Sequence, residues 1–187
     1  MTLENTAIGC WIFSLLAALW IMIPAYVPNS AAAVLGGGTP IDLGKTCSDG
    51  RRVFGDGKTY RGFFGGVLCG ILAGLVEIWA WSSFNLTALP RQTLLSVTLL
   101  AAGALLGDLA KSFLKRRLGK ERGEAWPLVD QYDLVIGSFL LILLVYPQWL
   151  FENITLPIAV WIVIITPILH RVVNIIGYYI GVKEVPW

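Results

Sequence analysis

The sequence predicts an all-α integral membrane protein with five transmembrane helices, and three observations carry that prediction. The chain of 187 residues is 56% hydrophobic and only 14% charged, with mean hydropathy +0.71, too apolar for a soluble domain. Five hydrophobic runs approach the roughly 20 residues that a bilayer-spanning helix needs: about 7–27, 62–81, 92–109, 134–150 and 156–176. The basic residues are segregated. Five of them (Lys45, Arg51, Arg52, Lys58, Arg61) lie between the first two runs and six (Lys111, Lys115, Arg116, Arg117, Lys120, Arg122) between the third and fourth. Arg171 and Lys183 follow at the end of the fifth run or beyond it, and Arg91 alone is left on the other side.

The positive-inside bias places the N-terminus outside, and both basic loops and the C-terminus in the cytoplasm. Five runs leave little chain over, so a single transmembrane domain over residues 1–187 is expected, with cytoplasmic loop 1 at about 28–61 and loop 2 at about 108–133. A net charge of +2 conceals this asymmetry, which draws anionic headgroups or nucleotide phosphates to one membrane face. No nucleic-acid partner is expected.

The first run follows Glu4 with no Lys or Arg before it and no small-residue cleavage pattern after it, so it reads as a mature helix rather than a secretory signal. Loop 1 is rich in Gly, Asp and Lys, and its start at 31–35 is apolar enough to dip into the interface. Its two Gly-Lys-Thr tripeptides, at 44–46 and 57–59, are not phosphate loops. The required earlier glycine is Thr39 in one case and Arg52 in the other. What remains is glycine-rich backbone able to approach a ligand closely, with Lys45, Arg51, Arg52, Lys58 and Arg61 as donors to phosphate oxygens.

The second run carries Gly62, Gly66, Gly70 and Gly74 at four-residue intervals. Such a face accepts another helix at close range, either within the bundle or across a homodimer seam. Glu77, near the outer end, is expected to reach the interface by helix tilt and to take no part in the chemistry.

If the third helix continues past the membrane, Asp108, Lys111, Ser112 and Lys115 share one face, an acid, a hydroxyl and two cations suited to a metal-bound polyphosphate. Arg116 and Arg117 point elsewhere and are expected to snorkel to headgroups. At the start of the fourth run Asp130 and Asp133 stand one helical turn apart. Two adjacent carboxylates at a membrane surface repel unless they share a divalent cation, most naturally Mg²⁺ with substrate phosphates completing its shell. An N-cap role for Asp130 is the alternative. On the fifth run His170 lies one turn from Asn174. Cys10, Cys47 and Cys69 lack metal spacing and read as structural thiols.

Ser112-Phe113-Leu114-Lys115-Arg116, then Pro127 and Asp130-Gln131-Tyr132-Asp133, resembles a shortened CDP-diacylglycerol synthase signature. The stretches "GGGTPIDLGKT", "DGRRVFGDGKTYRG" and the terminal "VPW" resemble the archaeal CDP-archaeol synthase family more closely, over essentially the whole chain. The Lys-Asp and His-Gly-Gly elements of the bacterial and eukaryotic signature are absent, and position 131 is Gln where that signature has Arg, which favours the archaeal branch. The resemblance implies transfer of the cytidylyl group of CTP to 2,3-bis-O-geranylgeranylglycerol 1-phosphate. It implies Mg²⁺ on Asp130 and Asp133 with Asp108 assisting, Lys111 and Lys115 on the departing pyrophosphate, and Ser112 in the same constellation. Lys45, Arg51, Arg52, Lys58, Arg61, His170 and Asn174 are then the substrate-binding set. A lipid kinase on a similar scaffold would release a nucleoside diphosphate instead. A small transporter would carry ionisable groups near the midplane or show repeated halves, whereas these runs hold almost no charge apart from Glu77 and no internal repeat.

Overall fold

The computed structural model describes residues 7–121, 123–183 and 185, with side chains from residue 9 onward. Glu4, Arg122 and the Pro-Trp of the terminal motif lie outside the described residues. Within the described residues six helices follow in order: α1 (Ala7–Leu35), α2 (Tyr60–Ser83), α3 (Leu94–Arg117), α4 (Val129–Val145), α5 (Pro147–Asn153) and α6 (Leu156–Tyr179). Among the described residues there is no strand, only the isolated bridges Pro40–Thr59 and Thr46–Arg52. Among the described residues four helices are long and apolar enough to cross a membrane, and the bent pair α4–α5 makes a fifth crossing if counted as one span.

The first helix runs further than its hydrophobic stretch. Residues 31–35 are not a separate loop segment but continue α1 to Leu35, through Pro24 and Pro28. At 29 residues and 1.5 Å per residue, α1 outreaches a hydrocarbon core of about 30 Å and lifts the start of loop 1 clear of it. Proline at 28 has no N–H for the Pro24 carbonyl, and that carbonyl faces Gly70 of α2. A Cβ on Gly70 would stand 2.7 Å from the Pro24 oxygen and 2.6 Å from the Pro28 ring.

The glycine face of α2 is therefore consumed inside the bundle rather than left for a second copy. Gly62 and Gly66 pack on Ala32, Gly66 and Gly70 also on Leu105 and Ala101 of α3, and Gly74 on Val97. The opposite face presents Phe64, Leu68, Leu72, Val76 and Trp79 outward, where a lipid environment accepts them. Glu77 extends the glycine face and is only 4% exposed, with neither carboxylate oxygen hydrogen-bonded. It does not reach the interface by tilt, because the face it shares is turned into the bundle.

The fourth run breaks at Tyr146. Pro147 cannot donate to the preceding turn, and the residue before a proline avoids helical backbone. The chain turns by 120° into α5, so residues 147–150 lie across the bundle instead of extending the span. Buried Trp149 anchors the turn, its Nε1 donating to the Arg91 carbonyl at 2.9 Å. The core between these helices is Ala17, Ile21, Met22 and Ala25 of α1, Leu100 and Ala104 of α3, Ile142 of α4 and Ile162 of α6.

A capping box of Thr93 and Ser96 starts α3, which continues beyond the expected end at 109 to Arg117. The loops are correspondingly shorter than predicted, 36–59 and 118–128. Both lie at the same end of the bundle as the C-terminal end of α6. Cys10, Cys47 and Cys69 are free thiols.

Candidate active site

Loop 1 is organised by a residue that the sequence reading passed over. The fully buried carboxylate of Asp42 accepts from the backbone N–H groups of Phe54 (3.0 Å), Gly55 (2.9 Å) and Gly44 (3.2 Å), and pairs with Arg52 at 2.5 Å. Burial alone would raise this carboxyl, but the Arg52 guanidinium and the three N–H donors prevail and hold it well below the usual carboxylate range. Arg52 also reaches Asp56 at 2.6 Å, so its guanidinium shapes the loop.

The loop is stapled to the end of α3. Arg117 donates to Asp49 (2.6 Å) and to the carbonyls of Arg52 (2.7 Å) and Arg51 (3.1 Å). Arg116 packs on Gly55 and donates to the Lys120 carbonyl at 2.5 Å. Neither guanidinium is left for headgroups, because loop 1 supplies oxygens to Arg117 and the Lys120 carbonyl of loop 2 supplies one to Arg116.

Since α3 does continue, Asp108, Lys111, Ser112 and Lys115 share one face, and they separate by role. Asp108 is paired with Lys58 of loop 1 and lies 3.0 Å from Lys111. The Ser112 hydroxyl is buried and donates to the Asp108 carbonyl at 2.8 Å, an intrahelical bond that keeps it out of the network. Lys111 reaches across to α4, 2.7 Å from Asp133 and 3.6 Å from Asp130. Lys115 binds Asp130 at 2.7 Å and the Glu124 carbonyl at 2.7 Å. Asp130 is not the N-cap of α4, a position held by Leu128; it accepts from the Trp126 N–H at 2.6 Å and so ties loop 2 to Lys115.

What allows this reach is a second glycine seam. A Cβ on Gly107 would collide with the Asp133 carbonyl, and one on Gly137 with the Gly103 carbonyl. The backbones of α3 and α4 thus touch beside the charges, with the buried Ser138 hydroxyl bound to the Leu100 carbonyl at 2.8 Å one layer below.

A cavity of about 1420 Å³ opens beside the network. Lys58, Asp108, Lys111 and Lys115 line it, while Asp130 and Asp133 sit behind the two α3 lysines. His170 and Asn174 line it from α6, Arg51 and Arg52 from loop 1, and its deeper wall is apolar, with Leu105, Leu134, Leu169 and Val173. Lys45 and Arg61 are exposed and do not line the cavity. The backbone of Lys45 is spent on turns to Asp42 and Val53, and Arg61 lies in the first turn of α2, one residue from the packed face.

Among the described residues no three Asp, Glu, His or Cys side chains form a closed metal cage. Yet Asp130 Oδ1 and Asp133 Oδ2 are buried and have no partner beyond the lysine ammonium groups paired with them. Two hard oxygen donors whose charge is met only by lysine ammonium groups fit an open site for a hard divalent cation shared with substrate phosphates.

The sequence reading missed Asp42, the Gly103–Gly107–Gly137 seam and Lys183. Asp42 had a signal, as the acid inside "GGGTPIDLGKT"; the seam did not, because its partners lie on different helices.

Comparison with known proteins places this geometry. The family model described as CarS-like CDP-archaeol synthase matches residues 11–187. The chain is 82% identical over 166 residues to a CDP-archaeol synthase from Methanoculleus marisnigri, and 62% identical over 166 residues to one from Methanoregula boonei. Each match spans 89% of this chain and 100% of the relative. The fold resembles the solved structure of an intramembrane enzyme for archaeal membrane lipids biosynthesis, with TM-score 0.69 and 36% identity over 86% of this chain and 94% of that one.

Proposed function

The chain belongs to the CDP-archaeol synthase family, and from that premise we propose how its ion network carries out the transfer. The enzyme is a CTP-dependent cytidylyltransferase of archaeal membrane lipid synthesis. In our reading the cytidylyl group of CTP passes to 2,3-bis-O-geranylgeranylglycerol 1-phosphate, giving CDP-archaeol and pyrophosphate. The active site faces the cytoplasm, where the basic loops belong by charge. The observation that carries the reading is the juxtaposition of Lys58, Lys111 and Lys115 with a deeper apolar wall in one cavity. Phosphates and prenyl chains find their surroundings at adjoining depths.

An ionised oxygen of the lipid phosphate attacks the α-phosphorus of CTP, and the bond from that phosphorus to the oxygen bridging to the β-phosphate breaks. The monoester is already mostly ionised at neutral pH, so no strong base is needed and His170 is not assigned that role. Lys111 and Lys115 exchange their carboxylate partners for phosphate oxygens and neutralise the leaving pyrophosphate, with Lys58 beside them. Asp130 and Asp133, with Asp108 assisting, would hold Mg²⁺. When bound, the ion supplies charge neutralisation and alignment of the nucleotide phosphates. Asp42 and Arg52 keep loop 1 closed over the site, and Arg51 faces the cavity.

The test is to incubate the purified protein in detergent with α-³²P-labelled CTP, Mg²⁺ and digeranylgeranylglyceryl phosphate, then extract the lipid. Labelled lipid that disappears with EDTA is expected. Transfer of a γ-label instead would make the protein a kinase and overturn the reading.

A further inference from the structure

Lys183 enters the sequence reading only as a charge beyond the last span, yet its side chain is built into the cavity. After α6 ends, Gly181 takes a left-handed backbone (φ 75°), and the N–H groups of Val182 and Lys183 both return to the Gly177 carbonyl, at 2.9 and 3.0 Å. This hook lays the Lys183 stem over Gly177, where a Cβ would stand 3.3 Å from Lys183 Cγ. The ammonium donates to Oδ1 of Asn174, itself 3% exposed.

The charge balance of the cavity singles this lysine out. Lys58, Lys111, Lys115 and Lys120 also line it, and each pairs with a carboxylate. Among the described residues no carboxylate stands within ion-pair reach of Lys183. Burial, reinforced by the Lys111 charge and only partly opposed by Asp108, holds its ammonium below the ordinary lysine range. On the same helix as Asn174, Leu169 and Val173 begin the apolar wall, and His170 lies between them on the cavity side. A cation at the boundary between a charged mouth and a hydrocarbon wall suits an anion attached to hydrocarbon.

We propose that Lys183, held by Asn174 and flanked by His170, binds the phosphate of the lipid acceptor, leaving Lys58, Lys111 and Lys115 to the nucleotide. This assignment rests on the cytidylyltransferase reading above. It divides the cavity into an acceptor half on α6 and the C-terminal hook and a donor half on loop 1, α3 and α4.

Lys183→Met, which keeps the stem on Gly177, and Lys183→Arg, which keeps the charge, test it by ligand-induced thermal shift in detergent. The probes are digeranylgeranylglyceryl phosphate, its dephosphorylated alcohol and CTP. The methionine variant is expected to lose the extra shift that the phosphate gives over the alcohol, to keep the CTP shift, and to raise the acceptor KM about tenfold with the CTP KM unchanged. The arginine variant is expected to recover the acceptor shift. A methionine variant that keeps the phosphate-dependent shift, or loses the CTP shift equally, overturns the assignment. Absence of cytidylyl transfer by the unmutated protein would instead sink the functional reading, while the binding comparison still decides whether Lys183 holds the lipid phosphate.

Discussion

The Lys111 ammonium lies 2.7 Å from Asp133 across the seam between α3 and α4, one turn of α3 beyond Gly107, where a side chain would strike the Asp133 carbonyl. The charge contact and the backbone contact are one feature. Only because position 107 carries no side chain do the two helices come close enough to bring the network together.

Gly107→Ala is therefore expected to lose both stability and activity. Forcing a methyl into a backbone contact costs about 1–3 kcal/mol, read as a lower Tm in detergent, and cytidylyl transfer should fall with it. A variant with unchanged Tm and rate would show that the seam does not set the site.

Asp133→Asn should abolish transfer while the protein remains folded, since the amide keeps the shape but gives up the charge facing Lys111. Label incorporation from CTP and the size-exclusion profile check the two halves of this expectation. Full activity at ordinary Mg²⁺ would remove Asp133 from the proposed metal site.

Asp42 gives a pH signature. Its carboxyl is held below the usual range in the fold, so its contribution is present above the unfolded value of about 3.9 and is lost as pH falls toward the folded one. Asp42→Asn should lower Tm at pH 7 and weaken its acid dependence below about pH 4. Parallel Tm-against-pH curves for the two proteins would contradict this.

Arg117→Ala should free loop 1 from α3, because Asp49 and the carbonyls of Arg51 and Arg52 all lose the same guanidinium. Faster trypsin cleavage after Arg51 or Arg52, at unchanged cleavage elsewhere, is the measurement. Equal cleavage would mean that Asp42 and the Lys58–Asp108 pair hold the loop without Arg117.

Gly70→Ile should destabilise the monomer itself, because the added side chain meets Pro24, Pro28 and Ala101 of the same chain. A lower Tm with no change in oligomeric state is expected. Dissociation of a dimer at unchanged Tm would restore the intermolecular seam.

Hydrophobic run length made the membrane class and most spans legible, and spacing placed Asp108, Lys111, Ser112 and Lys115 on one face. Chemistry between elements was less readable. The Gly62–Gly74 repeat announced a close approach without naming its partner, and Pro147 marked a break that an average over the apolar run concealed. Gly107 and Gly137 belong to no local pattern. Asp42 and Lys183 work through contacts with residues that only the folded loop and the C-terminal hook bring near. Arg117 reads as lipid-facing because nothing in a helical wheel shows that a loop 65 residues away supplies backbone oxygens, and Arg116 because its acceptor, the Lys120 carbonyl, is placed only by the turn after α3.

The partners in the network also lie far apart along the chain: Lys58 meets Asp108 across 50 positions, and the Lys183–Asn174 contact comes after every other helix has been made. During synthesis, loop 1 emerges with Lys58 still lacking Asp108, and α3 enters the bilayer before the aspartates of α4 exist. Until α6 is threaded and its tail folds back, the nascent protein holds the α3–α4 ion network without the cavity wall that α6 supplies. Maturation of the cavity is thereby tied to completion of membrane insertion, so that a ribosome stalled before α6 would display an incomplete bundle with one wall of the cavity missing.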